Sequence, residues 1–253
     1  MKIRIVTPAG RGTRYGNRVT ARRWAGILEE LGHQTVIEQD YRRGRADLMV
    51  ALHARRSAPS ISRFHRLHPN LPLIVALTGT DLYQDIKRSK SAQKSLEIAT
   101  RLITLQPLGK NMLTEHLHGK VRPIIQSKHP TPGQNRTSNK TFDVSIVGYL
   151  RAVKDPFRLA LAARLLPKNS RIRILHVGGA LNKDMETRAE NEILRNPRYN
   201  WLRELPQWRT RRIIARSRVL VLTSRLEGGA NVVSEALVDG VPVLASKIDG
   251  SIG

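Results

Sequence analysis

The chain has 253 residues, which is long for one domain and short for two complete α/β domains. Cysteine is absent, so disulfide frameworks, thiolate metal sites and cysteine nucleophiles are excluded, and we expect a reducing, cytoplasmic setting. The net charge of +24, from 44 Lys and Arg against 20 Asp and Glu, predicts attraction to nucleic acid, anionic lipid or a phosphorylated small molecule.

The N-terminal part alternates short apolar runs with helical patterns, which predicts a parallel sheet with helical crossovers. A first strand leads into a glycine-bearing loop, Pro8–Asn17, and then into an amphipathic helix. The predicted strands are Ile3–Thr7, Thr35–Glu38, Leu48–His53, Leu73–Leu77 and Arg101–Leu105, and the predicted helices are Thr20–Leu31, Ser60–Leu67, Ala92–Ala99 and Gly109–His118. We expect residues 1–126 to form one Rossmann-like domain.

Residues 127–141 are rich in Pro, Gly, Ser and Asn and lack periodic apolar positions, which predicts a linker. The alternation then restarts, so 142–253 is predicted to be a second Rossmann-like domain. Its predicted strands are Asp143–Val147, Ile172–Val177, Asn200–Leu202, Val219–Thr223 and Pro242–Ser246, and its helices Pro156–Leu166, Asp184–Leu194, Gln207–Ala215 and Asn231–Asp239. Because the sequence stops after a loop that should lead into another helix, we expect this domain to be truncated at its C-terminus. No apolar run approaches membrane-spanning length.

The most informative segment follows the predicted strand 219–223, where Glu227 and Glu235 are separated by seven residues. A strand, a Gly228-Gly229 turn and a helix start place backbone N–H groups where a phosphate or an anionic transition state can be held. Glu235, further along the helix, is suited to accept hydroxyl protons from a ribose. The alternative is an ordinary strand–turn–helix with a solvated Glu235.

This segment resembles the E-x7-E signature of family 4 retaining GT-B glycosyltransferases. Residues 147–154 (VGYLRAVK) are similar to the family's G-R-L-x-x-x-K motif, with Lys154 at the matching position, Tyr149 in the place of the arginine and Arg151 two residues on. The resemblance implies an α/β GT-B fold of two Rossmann-like, doubly wound domains facing a cleft. It also implies that Glu235 binds the donor ribose, that Arg151 and Lys154 bind the diphosphate, and that Gly228, Gly229, Ala230 and Asn231 support the donor.

In the first half, candidate ligand positions lie at strand ends, where open parallel sheets meet their ligands. Gly10, Arg11, Gly12, Gly16 and Asn17 follow the first strand, His53 ends the third, and Thr78 and Asp81 follow the fourth. A dinucleotide-binding fingerprint is the weaker interpretation, because the glycine spacing is off and no acid follows in a convincing place at the end of the second strand. The resemblance implies that His53 and Glu227 flank the reacting sugar, although a lone histidine is often structural and Asp81 could equally cap a helix.

No D-x-D pair is present to hold a metal on the diphosphate. Lys154, Arg151 and helix termini would then meet the charge of the leaving group. We therefore expect an enzyme without metal or cofactor, in which the nucleotide sugar is a substrate.

Residues 16–24, 51–58, 76–83, 105–108 and 227–231 are similar to the selenosugar synthases of selenoneine biosynthesis. This resemblance implies transfer from a UDP-sugar, with UDP-N-acetylglucosamine as the first candidate, to selenophosphate, with formation of a C–Se bond and release of UDP. Arg11, Arg55 and Arg56 beside His53 suit a small anionic acceptor, because guanidinium groups match oxyanions. Arg203 departs from the pattern, since the relatives generally have Gly near the base pocket.

Other functions stay open at this point. An ordinary family 4 glycosyltransferase with a carbohydrate or lipid acceptor would share the donor motifs. A basic nucleic-acid-binding protein or a non-catalytic anion-binding protein would account for the charge, but the basic pairs are scattered and aromatic residues make up only 4%, so nucleic acid is not expected as a partner. The sugar, the stereochemical outcome and the oligomeric state are not determined by the sequence.

Overall fold

The computed structural model describes residues 1–13, 15–133 and 136–252. The chain divides into two units, the first made mainly of Met1–Gln126 with Glu227–Gly229 and the second of Ser127–Leu226 with Ala230–Ser251. Each unit is built on a parallel sheet whose strands are joined by helical crossovers. The predicted α/β class with two Rossmann-like domains is confirmed.

The first unit contains a six-stranded parallel sheet in the order β2-β1-β3-β4-β5-β6. Its strands consist largely of Ile, Leu, Val and Ala, as expected where helices cover both faces of a parallel sheet. The strands are β1 (Lys2–Val6), β2 (Gln34–Glu38), β3 (Leu48–Leu52), β4 (Leu73–Leu77), β5 (Arg101–Thr104) and β6 (Val121–Pro123).

The crossover helices of this unit bury one face each. On one side of the sheet, Ala21 and Ala25 pack against Ile3, Ile5 and neighbouring strand residues. The helices are α1 (Gly16–Glu30), α2 (Ala58–Leu67), α3 (Ile86–Arg88) and α4 (Lys90–Ile98), and a π-helical turn, Asp81–Asp85, precedes α3.

One predicted helix of this unit is wrong, and one strand was not predicted. The helix predicted at Gly109–His118 is a pair of 3-10 segments, Pro107–Met112 and Glu115–Lys120, because the residues between them adopt extended angles. Gly109 packs so closely that a β-carbon there would lie 2.9 Å from Thr104 Cβ, so tertiary packing overrides the apolar period. Sequence analysis also missed β6, whose three residues are too few to show a period.

The second unit contains a five-stranded parallel sheet in the order β11-β10-β7-β8-β9. The helix predicted at Pro156–Leu166 is shorter than expected, and the other predicted elements are present with shifts of a few residues at their ends. The strands are β7 (Phe142–Val147), β8 (Ile172–Val177), β9 (Tyr199–Trp201), β10 (Val219–Leu222) and β11 (Val243–Ala245); the helices are α5 (Arg158–Ala163), α6 (Lys183–Arg195), α7 (Gln207–Arg216), α8 (Asn231–Val238) and α9 (Asp249–Ile252).

Each sheet has one point at which the strand order reverses direction. It lies between β1 and β3 in the first sheet and between β7 and β10 in the second. Loops diverge from the carboxyl ends of the strands at such a point and leave a crevice, which is where open α/β sheets bind ligands. The loops after β1, β3, β7 and β10 are therefore the positions at which this fold is expected to bind ligands.

The segment predicted to be a linker packs in part against the second unit. Thr131 is buried, and its N–H donates a 2.6 Å hydrogen bond to Asp239 at the end of α8. Arg211 on α7 donates both to the His129 carbonyl and to Asp239. Across the residues described, none of the helices combines the length and the apolar character needed to cross a bilayer.

Candidate functional site

The loops after β7 and β10 are tied together at the reversal point of the second sheet. The Thr223 hydroxyl lies 3.0 Å from the Lys154 carbonyl and 2.9 Å from the Asp155 carbonyl. The Arg225 N–H donates a 2.9 Å bond to the Val153 carbonyl. These bonds fix the backbone that carries Lys154 and Arg151, two of the residues predicted to contact the diphosphate.

Lys154 lies over the glycine that ends β7. A β-carbon at Gly148 would lie 3.8 Å from Lys154 Cδ, an ordinary van der Waals distance, so the lysine stem passes directly beside this position. Both residues line a small pocket with Thr223, Ser224 and His176 at the carboxyl ends of the strands. Arg151 is exposed at the end of the same loop, so the structure leaves it accessible to an anion.

His176 lies beneath this pocket on β8 and was not singled out by sequence analysis. Its side chain is fully buried, and Nδ1 lies 2.8 Å from the Tyr199 hydroxyl. Burial lowers the pKa of His176 to about 4, so the imidazole is neutral at physiological pH. A neutral ring adds no charge beneath Lys154.

Glu235 lies on α8 and is buried, with 6% of its surface exposed. Its Oε1 atom lies 3.4 Å from Lys128 Nζ, and the lysine side chain is itself only 5% exposed. Burial raises the pKa of Glu235, while the Lys128 and Arg211 charges oppose that rise. The solvated glutamate of the alternative interpretation is therefore wrong, and Lys128, which composition could not single out, is the counter-ion.

The start of α8 carries features of an anion-binding helix terminus. Gly229 has a φ of 151°, which only glycine adopts freely, and it leads into Ala230 as N-cap. Within the described residues, no side chain caps this terminus and its first turn contains no acid. Asn231 Oδ1 is buried without a protein partner there. Backbone N–H groups at such a helix start attract anions. Of the two predicted site residues just before the turn, Glu227 is half-buried and Gly228 is buried.

His53 lies at the reversal point of the first sheet, directly after β3, with a φ of 76°. It is 2% exposed. Nδ1 accepts a 3.3 Å bond from the Arg56 N–H, which leaves the proton of a neutral ring on Nε2, 3.4 Å from the Thr80 hydroxyl and 3.7 Å from an Asp85 oxygen. Burial lowers the pKa of His53, with the charges of Asp81 and Asp85 opposing this. A left-handed conformation in a non-glycine residue marks a position that the surrounding structure enforces.

Asp81 does not lie where an acceptor could reach it. The residue is fully buried, and its carboxylate accepts hydrogen bonds from the N–H groups of Thr78 and Gly79 at 2.9 and 3.0 Å and of Ala54 at 3.0 Å. It joins the loops after β3 and β4. The acceptor-side role predicted for Asp81 is corrected to a structural one, because all these contacts are with backbone.

Replacing Asp81 by asparagine is expected to lower the free energy of unfolding by about 3 kcal/mol, because an amide nitrogen would face a buried N–H donor. The matched control is Asp85→Asn, which removes a carboxylate from the partly exposed pair with Arg55 and should cost well under about 1 kcal/mol. Chemical denaturation of both variants measures the difference. Equal effects would contradict the loop-joining role.

The remaining acceptor-side candidates differ in accessibility. Arg55 is 58% exposed, donates a 3.0 Å bond to Asp85 and lines an open groove with Gln84, Arg88 and Ser89. Arg56, Arg11 and Gly12 are exposed, whereas Gly10 and Thr78 are half-buried. Gly16 and Asn17 form the first turn of α1, which begins four residues earlier than predicted, so they are helical rather than part of the loop.

Arg203 occupies a left-handed position with a φ of 57°. That conformation explains physically why glycine suits this place in similar sequences. The guanidinium lies 4.5 Å above the Trp201 ring and bonds Glu186 and Glu190 at 3.0 Å each. These contacts hold a residue whose backbone is otherwise unfavourable.

Two doubly wound units, with basic residues and a helix start at the reversal point of the second, are the architecture of GT-B glycosyltransferases. Residues 128–252 match the sequence profile of the family described as glycosyl transferases group 1. A curated relative from Xenopus tropicalis, glycosyltransferase 1 domain-containing protein 1, is 27% identical over 252 residues, covering 90% of this chain and 69% of that protein.

Solved structures share the fold at low identity. The Anabaena protein Alr3699/HepE in complex with UDP and glucose superposes with a TM-score of 0.74 at 16% identity, covering 100% of this chain and 82% of that one. Sucrose-phosphate synthase from Thermosynechococcus elongatus gives 0.74 at 14% identity, covering 99% and 82%. The solved structures show that the chain has a GT-B fold, and the profile match over residues 128–252 supports a glycosyltransferase.

Proposed function

We propose that this protein transfers a sugar from a UDP-sugar, with UDP-N-acetylglucosamine as the first candidate, to a small anionic nucleophile, with selenophosphate as the first candidate. The observation that carries the donor half is the buried carboxylate of Glu235, which lies on the helix after the reversal-point loop and is paired with Lys128. The acceptor half rests on the resemblance to selenosugar synthases and on the arginines of the first unit.

The donor contacts are assigned by chemistry. Glu235 accepts the ribose hydroxyl protons, since an ionised carboxylate is acceptor-only. Lys154 and Arg151 balance the diphosphate, the first as a point charge and the second as a planar fork. The N–H groups of residues 228–231 support the phosphates at the start of α8.

The transfer step breaks the bond between C1 of the sugar and the diphosphate oxygen, and the electron pair leaves with UDP. A selenium lone pair of selenophosphate forms the new bond to C1. Charge grows on the leaving diphosphate, where fixed cations stabilise it most. Glu227 and His53 flank the reacting sugar in this proposal, with the Nε2–H of neutral His53 available as a hydrogen-bond donor.

The proposal is tested by measuring UDP release from UDP-N-acetylglucosamine and UDP-glucose, with and without selenophosphate. We expect selenophosphate-dependent release that a chelator leaves unchanged, because fixed cations take the place of a metal. Arg55→Ala is expected to raise the KM for selenophosphate about tenfold while changing the KM for the donor far less.

Other outcomes of these assays would contradict particular parts of the proposal. Activity lost to chelator and restored by Mg²⁺ would contradict metal independence, and equal changes in both KM values would remove Arg55 from the acceptor site. Turnover only with carbohydrate or lipid acceptors would favour an ordinary family 4 enzyme. No turnover, with DNA retention that falls steeply with salt, would favour a nucleic-acid-binding protein.

A further inference from the structure

The first turn of α1 contains a buried arginine that sequence analysis did not single out. Arg18 is 7% exposed. Its Nε and Nη1 atoms are buried, and neither has a hydrogen-bond partner among the residues that the structure describes. Guanidinium nitrogens that are buried without a hydrogen-bond partner are costly, because they have lost their water and gained no partner in its place.

The helix geometry explains where this side chain lies. Arg18, Ala21 and Ala25 follow one face of α1, and the two alanines pack on the sheet against Ile3 and Leu52. Since α1 starts after β1 and returns along the sheet, its first turn lies at the carboxyl edge of the strands. Arg18 therefore belongs to the edge where loops from β1 and β3 leave the sheet at the reversal point.

The charges around Arg18 are of the same sign. Burial lowers the pKa of the Arg18 guanidinium, and the positive charges of Arg22 and Arg11 lower it further. The first turn of α1 contains no acidic residue. Three cations and the positive end of a 15-residue helix thus converge without a carboxylate in that turn. Such a field favours an anion of more than one charge.

We propose that Arg18 is the principal ligand of a phosphate-like dianion at the head of α1, with Arg11 and Arg22 strengthening the field. A guanidinium can give two parallel N–H bonds to a tetrahedral oxyanion, which matches its two unpartnered nitrogens. The inference rests on the proposed function only for naming that anion as the acceptor substrate. With Arg18 as the principal ligand, the main anion contact is a desolvated arginine and not the exposed Arg55. A charged hydrogen bond is stronger at a desolvated position, so it separates a bound dianion from other solutes more sharply.

The test is calorimetric titration of inorganic phosphate into the protein at fixed ionic strength. Wild type is expected to bind phosphate saturably, and Arg18→Met to weaken binding roughly tenfold or more. The matched control is Arg66→Met, which removes an exposed arginine from the last turn of α2 and should leave phosphate affinity within about twofold. In phosphate-free buffer, Arg18→Met should melt higher than wild type, because the unpaired buried charge is gone.

Phosphate binding that is absent from wild type, or that survives unchanged in Arg18→Met, would overturn the proposal. Should that variant not fold, crystals of the wild type soaked in selenate provide a second measurement. Selenate oxygens within hydrogen-bonding distance of the Arg18 guanidinium support the site, and selenate bound only elsewhere overturns it. A parallel UDP titration keeps the two proposals distinguishable. If Arg18→Met loses phosphate binding and still binds UDP like wild type, both proposals are supported. If neither wild type nor the variants bind UDP, only the donor site is contradicted.

Discussion

Glu235→Gln is expected to weaken UDP binding by about 10- to 100-fold, because the amide keeps one acceptor oxygen and loses the charge-assisted bonds to the ribose. At a UDP concentration of about 100 times Kd, wild type should gain about 2.7 kcal/mol of stability, which raises Tm by roughly 5–10 °C in a chain of this size. At the same UDP concentration the variant should lose between about half and about 85% of that shift. Thermal melts with and without UDP measure both.

The second glutamate of the E-x7-E segment is the matched control. Glu227 is proposed to lie beside the reacting sugar, which UDP lacks, so Glu227→Gln should leave the UDP-induced shift within about twofold in Kd while lowering turnover. The two variants differ only in which carboxylate is neutralised. Equal losses of UDP binding would contradict the separate roles, and an unchanged shift in Glu235→Gln would remove the ribose contact.

The pH dependence of UDP binding tests whether Glu235 binds UDP in its ionised form. Because burial raises the pKa of Glu235, protonation begins at a higher pH than for an ordinary glutamate, and UDP affinity should fall as the pH drops through that value. Lys128→Met removes the opposing charge, so its acid limb should move to still higher pH. This substitution also leaves a buried carboxylate unpaired and should cost stability.

The free energy of unfolding should fall by about 3 kcal/mol between pH 7 and pH 4 through His176 alone. Its pKa changes from an ordinary 6.5 to about 4 on folding, so the unfolded chain takes up a proton that the folded chain excludes. The stabilisation is complete above pH 6.5 and is lost as the pH falls towards 4. Urea denaturation at several pH values gives the free energy of unfolding as a function of pH for wild type and for His176→Asn. The difference between the two slopes is the contribution of His176.

The control for this experiment is an exposed histidine. His116 is largely exposed and pairs with Glu97 at 2.8 Å, so His116→Asn should leave the loss of stability with acid close to that of wild type. His53, whose pKa burial also lowers, adds a contribution of the same sign that both variants retain. If acid lowers the free energy of unfolding equally in wild type and in His176→Asn, the folded chain does not keep His176 from taking up a proton.

The chemistry-bearing residues differ in how visible they are in the sequence. Lys154 and Glu235 stand at fixed distances from glycines and from strand ends, so a local pattern marks them. Lys128 lies in the irregular segment 127–141 and meets Glu235 only because that segment packs on α8. Asp81 looks like a ligand at a strand end, and its contacts with three backbone N–H groups make it structural.

By itself, the sequence determined the parallel α/β class, the two repeats of strand and helix, and the strand–turn–helix segment that carries Glu227 and Glu235, because apolar period and glycine position are local properties of the chain. The tertiary structure alone decided which polar groups are desolvated and what they meet. Arg18, His176 and Lys128 acquire their character from burial among elements distant in sequence, and burial changes the energy of a charge far more than residue type does.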